Sequence, residues 1–228
     1  MKMMAVFGVV VGLICGVHAE MVADWRFSEN PGFLQDSSGA GVTLSKTEGD
    51  ISPKETDTAM ETVARFYGEG FLFSEDDGRW ADNTMTVEVL FRVENAEMEA
   101  VQTLIGKWNQ ESPGTSWVLG VKNQRMIFYM AKEGSERERC TGPEIISQKV
   151  YYVALVMDDR KVTLYVKNIT DEGEMSKKVY HVTPRKFKST DLPLSIGSTS
   201  QPSSPFWGEI GRVRIHDTAL DPIKLLWF

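Results

Sequence analysis

The chain has almost no cysteine. Cys15 and Cys140 are its two thiols, and Cys15 falls in an N-terminal apolar run. Beyond that run one thiol is left, so no intramolecular disulfide can form and the domain must stand on its hydrophobic core. Histidine is scarce as well, at three residues. His18 directly follows that run, and His181 and His216 form no zinc-type pair. No Gly-x-Ser-x-Gly elbow occurs, which removes the signature of a strand–turn–helix serine nucleophile. Cation excess is also missing. Lys and Arg total 25 against 32 Asp and Glu, giving a formal net charge of −7. That balance speaks against general nucleic-acid or anionic-membrane binding. Helical periodicity is nearly absent, as are low-complexity tracts and interdomain linkers. The one long apolar run, residues 5–17, is short against the ~20 residues of a membrane span.

That run is instead the middle of a three-part pattern. Lys2 supplies a positive start, Val9-Val10-Val11 and Leu13-Ile14 supply the apolar body, and Val17-His18-Ala19 resembles a small-residue cleavage site. This is the form of a secretory signal peptide over residues 1–19, cut near Ala19-Glu20. The expected product is residues 20–228, without a membrane span, placed outside the cell, in the periplasm or at the cell surface. A chain of that length can form one all-β domain with a sizeable core.

Strand signals run from end to end. In residues 84–93, Met85, Val87, Val89, Phe91 and Val93 share one face and Thr84, Thr86, Glu88 and Arg92 the other, the period of a half-buried strand. Residues 151–168 read as a hairpin around Asp158-Asp159-Arg160-Lys161. Its first run, Tyr151-Tyr152-Val153-Ala154-Leu155-Val156-Met157, is apolar on both faces, which calls for two packed sheets. Asn123-Gln124 marks a second hairpin, Asp36-Ser37-Ser38-Gly39 a turn closed by its own side chains, and residues 198–205 a Ser/Pro-rich loop. Asp221 and Pro222 suit the N-cap and N1 of one short terminal helix. The expected fold is an all-β, two-sheet antiparallel jelly-roll sandwich with one short C-terminal helix.

Four blocks carry a resemblance to laminin-G-like, concanavalin A-like jelly-roll domains of the bacterial secreted kind. They are Trp25-Arg26-Phe27 with Asp36-Ser37-Ser38-Gly39; residues 85–93 with Gln102-Thr103-Leu104-Ile105-Gly106-Lys107; Val153-Ala154-Leu155-Val156 with Val162-Thr163-Leu164-Tyr165-Val166; and Leu194-Ser195-Ile196-Gly197 with residues 207–216 and Ala219-Leu220. Gly211 and Ser28 depart from it, standing where such domains often carry acidic residues. The resemblance implies the fold over residues 20–228 but leaves function open, because the fold hosts lectins, adhesion modules, glycosidases and lyases. The Glu-x-Asp-x-x-Glu strand of jelly-roll glucanases, which aims its carboxylates into one groove, is not found. Glu94, Glu97 and Glu99 read as a charged loop.

Candidate residues follow from side-chain chemistry. Ser74-Glu75-Asp76-Asp77-Gly78-Arg79-Trp80 nearly matches a sialidase Asp-box. It reads either as a turn with Trp80 packed beneath it or, with Asp82, as a calcium-binding group of oxygens. Trp25 and Trp117 lie mid-strand and read as core. Trp80, Trp108 and Trp207 sit at strand–loop junctions, where aromatic faces can stack on sugars. Asn109, within Asn109-Gln110-Glu111-Ser112, suits hydroxyl recognition. Residues 177–188 hold five basic residues and no acidic one. Lys178, Arg185 and Lys186 could dock an anionic polysaccharide, or the stretch is an edge strand guarded against pairing. Cys140, which follows Arg137-Glu138-Arg139, reads as a loop thiol or as an activated one. Asn168-Ile169-Thr170 fits a glycosylation sequon. The leading expectation is a secreted, non-catalytic module for carbohydrate or cell-surface ligands. The alternatives are a jelly-roll glycoside hydrolase or polysaccharide lyase, and a structural or protein-interaction domain of the cell envelope. Calcium is the one cofactor considered.

Overall fold

The computed structural model describes residues 20–28, 32–68, 70–75, 78–80, 82–109, 116–134, 136–188, 190–200 and 204–226. The signal-like residues 1–19, and Asp76 and Asp77 of the acidic turn, lie outside them. The chain opens with β1 (Met21–Trp25), β2 (Ser45–Lys46), β3 (Pro53–Glu55), β4 (Thr62–Tyr67) and β5 (Leu72–Ser74). The long central strands are β6 (Thr84–Val93), β7 (Gln102–Lys107), β8 (Trp117–Lys122), β9 (Arg125–Ala131) and β10 (Arg137–Glu144). Then come β11 (Val150–Asp158), β12 (Lys161–Asn168), β13 (Ser176–His181), β14 (Leu194–Ile196) and β15 (Trp207–His216).

These strands form the expected two-sheet antiparallel sandwich. Sheet 1 runs β13-β12-β11-β6-β15-β4-β3, with β1 also on β15; sheet 2 runs β10-β9-β8-β7-β14-β5-β2. Both hairpins read from the sequence are present. Asp158 pairs with Lys161 around Asp159-Arg160. Lys122 pairs with Arg125 around Asn123-Gln124, whose positive φ values of 47° and 58° are those of a type I′ turn. The Asp36 carboxylate closes its turn as expected. It accepts from Asp24 N (2.8 Å), Ser38 N (2.8 Å) and Ser38 Oγ (2.7 Å), and Gly39 sits at φ 92°. Inward residues of both sheets form one core, with Val87, Val89, Phe91, Val153 and Leu155 facing Leu104, Trp117, Leu119 and Phe128.

Two expectations are corrected by a third layer. The outer face of β11 is covered not by a sheet but by the chain after β15: Tyr152, Ala154 and Val156 pack with Leu220 and Leu225. The polar face of β6 is buried beneath the same segment, with Thr86 at 0% and Glu88 at 1% exposure. Thr86 Oγ1 donates to Thr218 O (2.8 Å) and accepts from Leu220 N (2.9 Å). The strand is therefore buried on both faces because its polar groups anchor the tail. The helix expected after Asp221 is a single 3-10 turn, Pro222–Lys224, with Asp221 as N-cap accepting from Ile223 N.

Candidate functional site

The outer face of sheet 2 carries a hollow of about 120 Å³. Antiparallel register builds it. Strand alternation sends Trp117, Leu119 and Val121 of β8 into the core and leaves Val118, Gly120 and Lys122 on the outer face. On β9 the outer residues are Ile127, Tyr129 and Ala131, and on β10 they include Arg137 and Arg139, paired with Ala131 and Tyr129. Gly120 is required where it stands. A Cβ there would meet the Gln102 carbonyl oxygen at 2.4 Å, in the stretch where β7 shifts register between Thr103 and Ile105.

Aromatic rings and guanidinium groups shape the hollow. Trp108 and Tyr129 lie with centroids 6.4 Å apart and planes tilted by 55°. The Arg137 guanidinium sits 5.1 Å from the Trp108 ring and that of Arg139 5.4 Å from the Tyr129 ring. Val118, Thr103, Thr199 and Ser204 are buried lining residues, and Val101 and Lys122 complete the wall. Thr103 is fully buried and its Oγ1 has no hydrogen-bond partner. An unpartnered buried hydroxyl costs ~1–3 kcal/mol, a cost that a ligand hydroxyl would remove. The lining combines apolar faces, convergent polar groups and cations.

Of the expected ligand residues, Trp108 lines this hollow with the edge that its packing leaves, being 5% exposed. Asn109 beside it is buried, already engaged, and not part of the lining. Trp207 stands on the outer face of sheet 1, 40% exposed, paired with the exposed Tyr67, and does not converge with Trp108. Trp80 is corrected: it is fully buried against Trp25, its Nε1 donates to Glu75 O (3.4 Å), and no ring face is left for a sugar. The packed-turn reading therefore holds at Trp80. Lys178 and Arg185 are exposed and are not among the lining of this hollow. β13 is the edge of sheet 1, and these side chains fasten it and the following segment to sheet 2. Lys178 Nζ donates to Thr141 O (3.3 Å) and Arg185 Nη1 to Glu133 O (3.2 Å). Lys186 is exposed, and its carbonyl accepts from Glu133 N.

Of the metal candidates Asp76, Asp77 and Asp82, only Asp82 is among the described residues. Asp82 Oδ1 accepts from Thr84 N (3.2 Å) in a local turn. Among the described residues no group of three or more His, Cys, Asp or Glu gathers around one point. At the positions where the family resemblance led to acidic residues, Gly211 forms a bulge between Ile210 and Arg212. A Cβ there would meet Met60 Cβ at 2.8 Å. The neighbouring Arg212 satisfies the buried Asp24, with Nε 2.7 Å from Oδ1 and Nη2 2.8 Å from Oδ2. Burial opposes the Asp24 charge, but Arg212 and Arg26 outweigh it and hold the carboxyl below its usual range. Such a group is ionised at neutral pH and is not a proton donor.

Cys140 is neither a loop thiol nor an activated one. It is a strand residue facing the core, 2% exposed. Burial first, and then the Glu138 carboxylate, push its thiol up to about 12, while Lys132 works the other way. The preceding arginines point to the opposite face. Alkylation by iodoacetamide at pH 8 is expected to be at least ~100-fold slower in the native protein than in urea. Mass spectrometry over a time course measures this, and equal rates would show an exposed thiolate. The sequon asparagine is committed as well: Asn168 Nδ2 donates to Asp171 Oδ2 (2.9 Å), and its Oδ1 accepts from Asp171 N.

Solved structures share this architecture at low sequence identity. Domain 4 of AbnA, a GH43 extracellular arabinanase from Geobacillus stearothermophilus, solved in complex with arabinotriose, is 18% identical. The match covers 90% of this chain and 96% of that one, with TM-score 0.66. The binding domain of Paraclostridial Mosquitocidal Protein 1 is 11% identical over 89% of this chain and 50% of that one, with TM-score 0.67. The binding domain of botulinum neurotoxin DC, in complex with SialylT, is 12% identical over 89% and 49%, with TM-score 0.63. The present chain thus spans about half the length of those toxin domains. No curated protein sequence matches it. The profile of one superfamily matches residues 68–224, well over half the chain, taking in β5 through β15 and the 3-10 turn. On that match the chain belongs to the concanavalin A-like lectin/glucanases superfamily.

Proposed function

We propose that the chain is a secreted, non-catalytic module that binds carbohydrate in the hollow on the outer face of sheet 2. The observation that carries this reading is the tilted Trp108–Tyr129 pair, which lines one hollow with Thr103 and its unpartnered hydroxyl. Aromatic faces offer a sugar large apolar contact at low entropic cost, and buried polar groups beside them fix its orientation. Export is supported by the pattern of residues 1–19. Solved structures of the same fold with arabinotriose and with SialylT lend support to a glycan as the ligand. The hollow is smaller than the ~300 Å³ at which pockets for whole small molecules begin. It suits one sugar ring or its substituents rather than an enclosed chain.

The test is a glycan array followed by calorimetry on the purified protein, with and without calcium. Saturable binding of at least one oligosaccharide, abolished when the hollow is altered, is the expected result. No binding to any glycan under either condition overturns the carbohydrate reading and leaves the envelope-interaction reading in its place. Depolymerisation of a bound glycan would move the chain to the hydrolase or lyase reading.

A further inference from the structure

Arginines in this chain are used in two ways, and the difference divides the sheets. On the outer face of sheet 1 they meet carboxylates. Arg212 and Arg26 lie on Asp24, Arg214 on Glu88, and Arg92 and Arg65 on Glu209. On the outer face of sheet 2 three cations differ. Arg139 rests over Tyr129 and has no carboxylate within ion-pair distance among the described residues, and neither Arg125 nor Lys122 has one. Arg137 lies over Trp108 on the same face. Among the described residues lining the hollow none is acidic, while three, Lys122, Arg137 and Arg139, are cations.

Resting on the glycan-binding reading above, we infer that the hollow selects acidic sugars, those bearing a carboxylate or a sulfate ester. Arg137 and Arg139 are two residues apart on one strand, so both project from the same face. Each guanidinium is fixed against a ring, which lowers the entropy lost when it binds an anion. Planar forks of this kind match carboxylate and sulfate through paired hydrogen bonds. The aromatic pair takes the ring of the sugar, Thr103 Oγ1 a hydroxyl, and the arginines its charge. Desolvation by the surrounding apolar walls strengthens the charge contact relative to water.

Matched ligands separate the two levels of the argument. Calorimetry on the full protein would compare a galacturonate trisaccharide with its methyl ester, and a sulfated cellotriose with cellotriose. The acidic member of at least one pair should bind about tenfold or more tightly, with the advantage shrinking as NaCl rises. Which pair shows it tells carboxylate from sulfate. Arg139→Gln should remove most of that advantage and change the affinity for the neutral member little; Arg139→Lys, keeping charge without the fork, should fall between. Equal binding of acidic and neutral members overturns the charge selectivity and leaves the glycan reading intact. Failure of all four ligands, together with an empty glycan array, overturns both.

Discussion

Replacing Glu88 with glutamine is expected to destabilise the protein by about 3–5 kcal/mol, the cost of leaving a buried charge without its partner. The Glu88 carboxylate is 1% exposed and meets four groups. Tyr152 Oη and Arg214 Nη2 donate to it, Leu226 N donates at 2.7 Å, and His216 Nε2 stands 3.5 Å away. Arg214 is itself only 13% exposed, so the neutral variant strands a guanidinium under the C-terminal segment. Urea denaturation measures the loss. The double variant Glu88→Gln/Arg214→Leu should recover part of it, since the charge left unpaired is then gone as well. Equal stability of Glu88→Gln and wild type would show that this network contributes nothing. Acid should act on the same group. Burial opposes its charge, but His216, Tyr152, Arg214 and Leu226 together hold its carboxyl below the usual range. The unfolded chain therefore takes up a proton at higher pH than the native one. The contribution of Glu88 is complete above about pH 4.5 and is lost as pH falls through the lowered native value. The wild-type stability curve should bend downward in that window and the Glu88→Gln curve should bend less. Because Glu88 lies on sheet 1, the folded fraction of the variant should bind glycan normally at neutral pH.

Trp108→Ala should weaken glycan binding by about 2 kcal/mol, roughly thirtyfold in Kd. The indole forms one wall of the hollow, and the variant also leaves the Arg137 guanidinium without its ring. Trp108 packs on Val118, Ala131 and Tyr129 in a small cluster separate from the main core, so some stability goes with it. Trp108→Phe, which keeps a flat face, should retain most of the affinity and the fold. Trp207→Ala removes the most exposed tryptophan described, yet should leave Kd unchanged, because Trp207 lies on the other sheet. Titration calorimetry beside thermal melts resolves all three. A folded Trp108→Ala protein that binds as well as wild type would take the site away from the hollow.

The fold was legible because its signals are local. Period-two alternation in residues 84–93, the Asn123-Gln124 turn and the Asp36 turn each act within a few residues, and each formed as read. Glu88 was misplaced for the opposite reason. It looked like a solvent-facing residue on a half-buried strand, and only the return of Leu226, 138 positions later, covers it. The site was legible in part. Trp108 stood out as an aromatic beside a polar loop. Tyr129, Arg137 and Arg139 did not, since their convergence depends on the cross-strand register of β8, β9 and β10. A trace was available: with Met126, Phe128 and Met130 assigned inward, Tyr129 must face out, and Arg137 and Arg139 share one strand face. The basic run at 177–188 drew attention as a charge excess, but composition cannot distinguish a lysine that reaches solvent from one that caps a carbonyl, as Lys178 does on Thr141.

The place of β15 sets the order in which the molecule can come together. It fills the middle of sheet 1, bonded to β6 on one side and to β4 and β1 on the other, and it is made after every other described strand. While the ribosome is still reading earlier codons, β1 has no neighbour to pair with and half of the core has no floor. Asp24 waits for Arg212 across 188 positions. Such long loops close slowly, so sheet 1 stays open until β15 has been made and has found its neighbours.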